Sequence, residues 1–118
     1  MKTVLYIDDE PAIIDIAKQV FVNTTANLLV AKNIKDAHAI LSTSRIDVII
    51  LDLMLDGECG LDLLDQVKKG CLKNTKIIIV SGWIDRFAER IKKYSHLNLD
   101  FLHKPYSAHE LLKKINDH

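Results

Sequence analysis

The chain has no surplus of charge of either sign, because sixteen Lys and Arg residues balance sixteen Asp and Glu. No global field draws it to nucleic acid or to a membrane surface, so any charge-based function has to be local. Cysteine is scarce too. Cys59 and Cys71 are neither spaced as C-x-x-C nor dense enough for a disulfide scaffold, which fits free thiols in a reducing cytoplasm. No apolar run approaches the roughly 20 residues that span a bilayer, and the N-terminus opens straight into Thr3-Val4-Leu5-Tyr6-Ile7 without a signal-peptide pattern. A cytoplasmic location is expected. His38, His96, His103, His109 and His118 show no ligand spacing, so no metal is assigned to them. Internal repeats, low-complexity segments and linkers are all missing.

What remains is an ordinary globular composition, 48% hydrophobic and 27% charged over 118 residues, which is enough for one domain over 1–118 with a real core. Residues 3 to 7 are β-branched and aromatic enough for a strand and end at Asp8-Asp9-Glu10; Pro11 suits the first turn of a helix. Ile13, Ile16, Ala17, Val20 and Phe21 recur at three- and four-residue steps, which predicts an amphipathic helix over 11–22 broken by Asn23-Thr24-Thr25. Leu28 to Ala31 reads as a second strand and Asp36 to Leu41 as the core of a second helix.

The run Val48-Ile49-Ile50-Leu51-Asp52 reads as a strand covered on both faces that stops on a carboxylate. After a loop with Gly57 and Gly60, the positions Leu61, Leu64, Val67 and Lys68 predict a third helix ended by Gly70. Lys76 to Val80 is a fourth strand that stops at Ser81-Gly82, and Ile84 to Tyr94 a fourth helix carrying Arg86, Arg90, Lys92 and Lys93. Leu99 to Leu102 is a fifth strand cut by Lys104-Pro105; Ser107 with Glu110 three residues on forms a capping box for a last helix. Strict alternation of strands and helices implies an α/β fold, doubly wound (βα)5, with a five-stranded parallel sheet between two helical layers, a three-layer sandwich.

In such a sheet the carboxyl ends of all strands share one edge, where open α/β folds place their chemistry. Asp8, Asp9, Asp52, Ser81 and Lys104 meet there. Each of these types is common after strands for structural reasons, since Asp begins turns and caps helices; the conjunction is what points to chemistry. Three carboxylates in one cleft repel unless a cation is present, and as hard oxygen donors they suit a divalent ion such as Mg²⁺. Asp52 is the candidate nucleophile, able to take a phosphoryl group as an acyl phosphate. Ser81 and Lys104 are candidates for binding phosphoryl oxygens, and phosphoryl transfer asks mainly for such positioning and charge neutralisation.

Asp8-Asp9, Asp52 with Met54 and Gly60 following, Ser81-Gly82 and Lys104-Pro105, in that order and at those strand ends, resemble the receiver domains of two-component response regulators of the chemotaxis-regulator type. The resemblance covers the whole chain and implies a flavodoxin-like strand order. It implies that Asp52 accepts a phosphoryl group from a phosphohistidine of a histidine kinase or histidine phosphotransfer protein. It implies Mg²⁺ (or Mn²⁺) held by Asp9, Asp52 and the backbone carbonyl of Met54, with Asp8 acting through water. Ser81 and Phe101 would form the switch, Lys104-Pro105 is often cis in relatives, and Met54 and Trp83 would flank the path of hydrolytic water and tune the phosphoryl lifetime.

The face formed by the fourth helix, fifth strand and fifth helix, with Phe87, Arg90, Tyr94, Phe101 and Tyr106, is the expected surface for an effector domain or a self-dimer. Direct contact with nucleic acid or membrane is not expected, and the domain is expected to be a regulatory one that catalyses its own phosphotransfer and dephosphorylation, not an enzyme. The sequence departs from many relatives at Asp56, where they carry proline, and at Gly82, where alanine is commoner. The start at Met1 and the stop at His118 lean towards a fragment of a longer protein. Alternatives are a degenerate receiver acting as a binding scaffold, and an aspartyl-phosphate-type hydrolase, which usually needs D-x-D after the first strand and a cap. A flavin module is disfavoured by the acidic Asp8-to-Ala12 loop.

Overall fold

The computed structural model describes residues 2–68 and 70–116, so His118 lies outside the described residues. The apolar runs form β1 (Thr3–Ile7), β2 (Asn27–Ala31), β3 (Val48–Asp52), β6 (Lys76–Ser81) and β7 (Asn98–His103), which pair in parallel in the order β2-β1-β3-β6-β7. That is the flavodoxin-like order that the receiver resemblance implies. β3 lies at the centre, with Val48 opposite Lys76 and Asp52 opposite Val80, and all five of its side chains are buried.

Because successive strand residues face opposite sides, the core divides in two. Leu5, Ile7, Ile49, Leu51, Ile77 and Ile79 pack on the side of α2 (Ile34–Thr43), α3 (Asp62–Gln66) and α4 (Ala88–Ile91). Val4, Tyr6, Val48, Ile50, Ile78 and Val80 pack against α1 (Pro11–Val22) and α5 (Ala108–Asn116). No helix among the described residues is long and apolar enough to cross a membrane.

The helices start where their caps allow. Pro11 takes the first turn of α1, the Asn33 side chain accepts the Asp36 N–H at 2.8 Å to cap α2, and Ser107 with Glu110 makes the expected reciprocal capping box on α5. In α1 the buried stripe is Ile14, Ala17 and Phe21, while Ile16 faces solvent. Ile13 and Ile14 are adjacent, so a helix can be rotated to bury either, and packing against the sheet chooses the second.

Two helices differ from the expected spans. α3 stops at Gln66, because Val67 is already extended (φ −74, ψ 138) and Leu72 supplies the buried contact beyond it; Gly70 (φ +94) sits in the turn that follows. The segment over 84–94 is a short α4 flanked by 3₁₀ turns Ile84–Phe87 and Lys92–Tyr94. This tightening accompanies a tie to α3: Arg90 Nη2 reaches Asp62 at 2.5 Å and Asp65 at 2.8 Å, and the Tyr94 hydroxyl donates to Asp65 at 2.5 Å. The Tyr94 hydrogen bond, together with the hydrogen bond and charge of Arg90, holds the Asp65 carboxyl below its ordinary range against the opposing effect of burial.

Between β3 and α3 the chain forms a small antiparallel hairpin of β4 (Met54–Leu55) and β5 (Glu58–Cys59), turned by Gly57 at φ +70. Glu58 reaches from this hairpin to accept the Ile34 N–H at 3.2 Å.

Candidate functional site

Polar side chains seldom enter a core without a reason. Among the described residues four polar or charged ones are buried: Thr75, whose hydroxyl donates to the Ile46 carbonyl at 2.8 Å, and Asp8, Asp52 and Ser81. The last three end β1, β3 and β6 at one edge of the sheet.

Asp52 is 3% exposed. One carboxylate oxygen, Oδ1, accepts the Met54 N–H at 3.0 Å and the other, Oδ2, accepts from Lys104 Nζ at 2.9 Å. Lys104 follows β7, and its backbone N–H donates to the Ser81 carbonyl at 3.2 Å, extending the ladder by one bond. The Lys104-Pro105 peptide is cis. The same ammonium lies 3.8 Å from Asp8 Oδ2. Burial lowers the Lys104 pKa, but the Asp52 hydrogen bond and the charges of Asp52 and Asp8 outweigh it, and the net direction is up.

Asp8 is 1% exposed. Its Oδ1 accepts the Glu10 N–H at 3.0 Å, while Oδ2 is a buried acceptor without a hydrogen-bond partner among the described residues. Burial, reinforced by Asp52 and Asp9 and opposed by the Glu10 N–H and Lys104, pushes its pKa up to about 6. Asp9 turns towards the hairpin, where Oδ2 accepts the Asp56 N–H at 2.6 Å. A proline at 56 has no N–H to give, so this tie to Asp9 depends on the departure from proline at that position.

Ser81 Oγ accepts the Trp83 N–H at 2.9 Å. Met54 and Trp83 stand 54% and 51% exposed beside the site, and the Arg86 guanidinium lies 4.3 Å from the Trp83 ring centroid. Phe101, opposite Ile79 in the β6–β7 ladder, is half-buried against the α2–α4 face. Gly60 is held against the phosphoacceptor candidate's backbone: a Cβ there would lie 2.1 Å from the Asp52 carbonyl oxygen.

Sequence reasoning missed one feature outright. Tyr6, which reads as a plain strand residue, is buried with its hydroxyl bonded to that of Tyr106. Tyr106 was expected on the output face, but packs on the α1–α5 side of the sheet.

A model of the response regulator receiver domain matches residues 4–116. The chain belongs to the response regulator receiver family. The receiver is 30% identical over 117 residues to the phosphate regulon transcriptional regulatory protein PhoB of Pseudomonas aeruginosa, covering 97% of this chain and 50% of that protein. Against the regulatory protein VirG of Rhizobium rhizogenes it is 30% identical, with 98% and 47% covered. It thus spans about half the length of the curated relatives it matches. Among solved structures, the receiver domain of the Francisella response regulator 1452 superposes with a TM-score of 0.81 at 29% identity, covering 98% of this chain and 94% of that one. The chemotaxis protein CheY4 of Vibrio cholerae shares the fold, with a TM-score of 0.84 at 23% identity, covering 98% and 96%. Receiver domains bind Mg²⁺ at their phosphorylation site and act as signalling modules with histidine kinases and effectors, not as classical enzymes.

The residues at this receiver's sheet edge fit such an ion. The donor set is carboxylate and carbonyl oxygen, the chemistry Mg²⁺ takes, and the unpartnered Asp8 Oδ2 is an acceptor that lacks a positive partner at bonding distance. Among the described residues no three His, Cys, Asp or Glu side chains are already gathered into a cluster that could cage an ion; Asp9 is engaged with Asp56.

The raised Asp8 pKa carries a stability consequence. An acid whose folded pKa lies above its unfolded value near 4 binds a proton more tightly in the fold, so its ionisation costs stability as pH rises from about 4 through about 6. At about 1.4 kcal/mol per pH unit the full cost above that window is about 3 kcal/mol. Asp8→Asn is therefore expected to be more stable than wild type at pH 7.5 without divalent cations, by up to that amount. The gap should close towards pH 4 in chemical denaturation.

Proposed function

We propose that this receiver is a phosphoacceptor switch in which Asp52 takes a phosphoryl group from a phosphohistidine of a kinase or phosphotransfer protein. The observation that carries the reading is the contact of Lys104 Nζ with Asp52 Oδ2 at 2.9 Å, next to Asp8, in a pocket that buries both acids.

In the step, a bond forms between an Asp52 carboxylate oxygen and phosphorus while the donor's P–N bond breaks, and the released imidazole nitrogen takes a proton from solvent. Asp52 Oδ1 is already fixed by the Met54 N–H, which sets the direction of the carboxylate. Lys104 moves from the carboxylate to the transferred oxygens and follows the charge; a compact ammonium on a flexible stem suits that change of partner. Ser81 gives up its bond from the Trp83 N–H and turns its hydroxyl to another phosphoryl oxygen. Asp9, Asp52 and the Met54 carbonyl, with Asp8 acting through water, would hold Mg²⁺ (or Mn²⁺), which supplies the remaining neutralising charge.

Movement of Ser81 reaches the surface through β6 and β7, where Ser81 opposes His103 and Ile79 opposes Phe101. The face of α4, β7 and α5 is the proposed output, for an effector domain or a second receiver. There Asp100 is paired with Lys114 at 2.9 Å and Lys76 at 3.7 Å. We place the domain in the cytoplasm, as a single unit over 1–118.

Met54 and Trp83 flank the site with apolar bulk and are assigned to slowing the attack of water on the acyl phosphate. Trp83→Ala and Met54→Lys are each expected to shorten its half-life about threefold, an effect of about 0.65 kcal/mol on the barrier. Unchanged half-lives would remove this role. The proposal as a whole is tested by incubation with Mg²⁺ and a small acyl phosphate, followed by intact mass. Wild type should gain one phosphoryl group, and Asp52→Asn or excess chelator should abolish the gain. No gain by a folded wild type that still binds Mg²⁺ would make it a binding scaffold; gain that survives Asp52→Asn would move the acceptor elsewhere.

A further inference from the structure

We infer that the Tyr6–Tyr106 hydroxyl pair is a positioning device for Lys104, tying the loop that carries the ammonium to the strand that ends in Asp8. The inference rests on the phosphoacceptor reading and adds two residues to it.

Lys104 is the most mobile element of the site by chemistry: a long stem with several rotatable bonds, whose freedom has to be lost before its charge is useful. On its N-terminal side the backbone is fixed by the bond from the Lys104 N–H to the Ser81 carbonyl. On its C-terminal side regular structure resumes at α5, and Tyr106 anchors the intervening loop to the sheet twice, by its ring packed against the α1–α5 side of the core and by its hydroxyl bond to Tyr6.

The contacts close a ring. Tyr106 is two residues from Lys104, Lys104 Nζ lies 3.8 Å from Asp8 Oδ2, Asp8 is two residues from Tyr6, and Tyr6 returns to Tyr106. Opening any member loosens the distance between the ammonium and the acids. The electrostatics agree: Asp8 and Asp52 act on both phenols, which burial above all pushes upward, and Lys104 acts on Tyr106. A cavity of about 360 Å³ opens beside the pair, between α1 and the loop. Among the described residues that line it, Tyr6, Tyr106 and Lys104 alone carry polar side-chain atoms. The cavity wall therefore offers the two hydroxyls no polar side chain besides each other and Lys104.

Tyr6→Phe and Tyr106→Phe remove the bond and keep the rings. With saturating Mg²⁺ and acetyl phosphate, each is expected to lower the maximal phosphorylation rate about fivefold, the worth of one hydrogen bond in a barrier. The half-saturating donor concentration should not change. The double variant should be no slower than either single, because both delete one interaction. In a Lys104→Met background the substitutions should have no further effect, an outcome that a merely structural role of the tyrosines would not produce. Independently of phosphorylation, the Lys104 ammonium resonance in wild type should be sharp and should broaden in each Phe variant. Multiplying single effects, an undiminished effect in Lys104→Met, or an ammonium signal indifferent to the tyrosines would each overturn the inference. If wild type takes up no phosphoryl group the functional reading fails, and the ammonium signal alone then decides whether the tyrosines position Lys104.

Discussion

Lys104→Met is expected to slow phosphorylation of Asp52 by about 10²-fold, the usual effect of deleting one preorganised donor from a site where charge develops. Methionine keeps most of the stem and removes the charge, so the loss reports the ammonium itself. The same substitution strips Asp52 and Asp8 of the cation 2.9 Å and 3.8 Å away. Breaking a fully buried pair costs about 3–5 kcal/mol; the Lys104 side chain is 31% exposed, and solvent reduces the expected loss of stability to about 1–2 kcal/mol.

The pH window of that loss follows from the two partners. Lys104 has its folded pKa raised, so its contribution is fully present below the ordinary lysine value and fades as pH rises through the folded one. On the acid side, protonation of Asp8 near pH 6 removes one of the charges it answers. The stability difference between wild type and Lys104→Met should therefore be largest between about pH 7 and pH 10 and shrink towards pH 5. A difference that grows on acidification would contradict the assigned pairing.

Gly60→Ala is the second large effect. Gly60 has no positive φ; what it lacks is room. Its Cβ would lie 2.1 Å from the Asp52 carbonyl oxygen, 3.0 Å from the carbonyl carbon and 3.1 Å from Leu51 Cδ1. The first two are backbone atoms of Asp52, which ends the central strand paired with Val80 on β6, and backbone in the ladder cannot easily step aside. The hairpin has to lift instead, straining the Gly60 N–H bond to the Leu53 carbonyl at 3.0 Å. Overpacking of this kind costs about 1–3 kcal/mol and sometimes more, and with backbone on one side the upper end, about 3 kcal/mol, is expected. Gly82→Ala is the control, since no atom lies within 4 Å of its Cβ position. Chemical denaturation should separate the two variants clearly; equal stabilities would show that the hairpin adapts freely.

The sheet was legible because Val48 to Leu51 and Ile77 to Val80 are short, uninterrupted apolar runs rich in β-branched residues and bounded by turn residues, the pattern of a strand covered on both faces. The site followed from topology: once the strands are parallel, Asp8, Asp52, Ser81 and Lys104 share an edge whatever the details of packing. Where the sequence misled, the deciding contact was remote. Ile13 and Ile14 offer α1 two buried stripes, and the sheet selects one. α3 ends early because the backbone turns extended at Val67, whose side chain still packs on the core that Leu72 joins from the following turn. The segment over 84–94 tightens where Arg90 and Tyr94 reach Asp62 and Asp65 on another helix. Asp9 meets Asp56, and Tyr6 meets Tyr106 across a hundred residues; no local pattern announces either pair.

Asp52, and no other acid at this edge, is expected to carry the phosphoryl group. The most direct measurement is borohydride trapping after exposure to a small acyl phosphate and Mg²⁺, since borohydride reduces an acyl phosphate to the corresponding alcohol and so marks the acceptor. Peptide mapping by mass spectrometry is expected to find homoserine at position 52 alone, and none when Mg²⁺ is chelated. Homoserine at position 8 or 9, or none anywhere in a folded protein that binds Mg²⁺, would contradict the account.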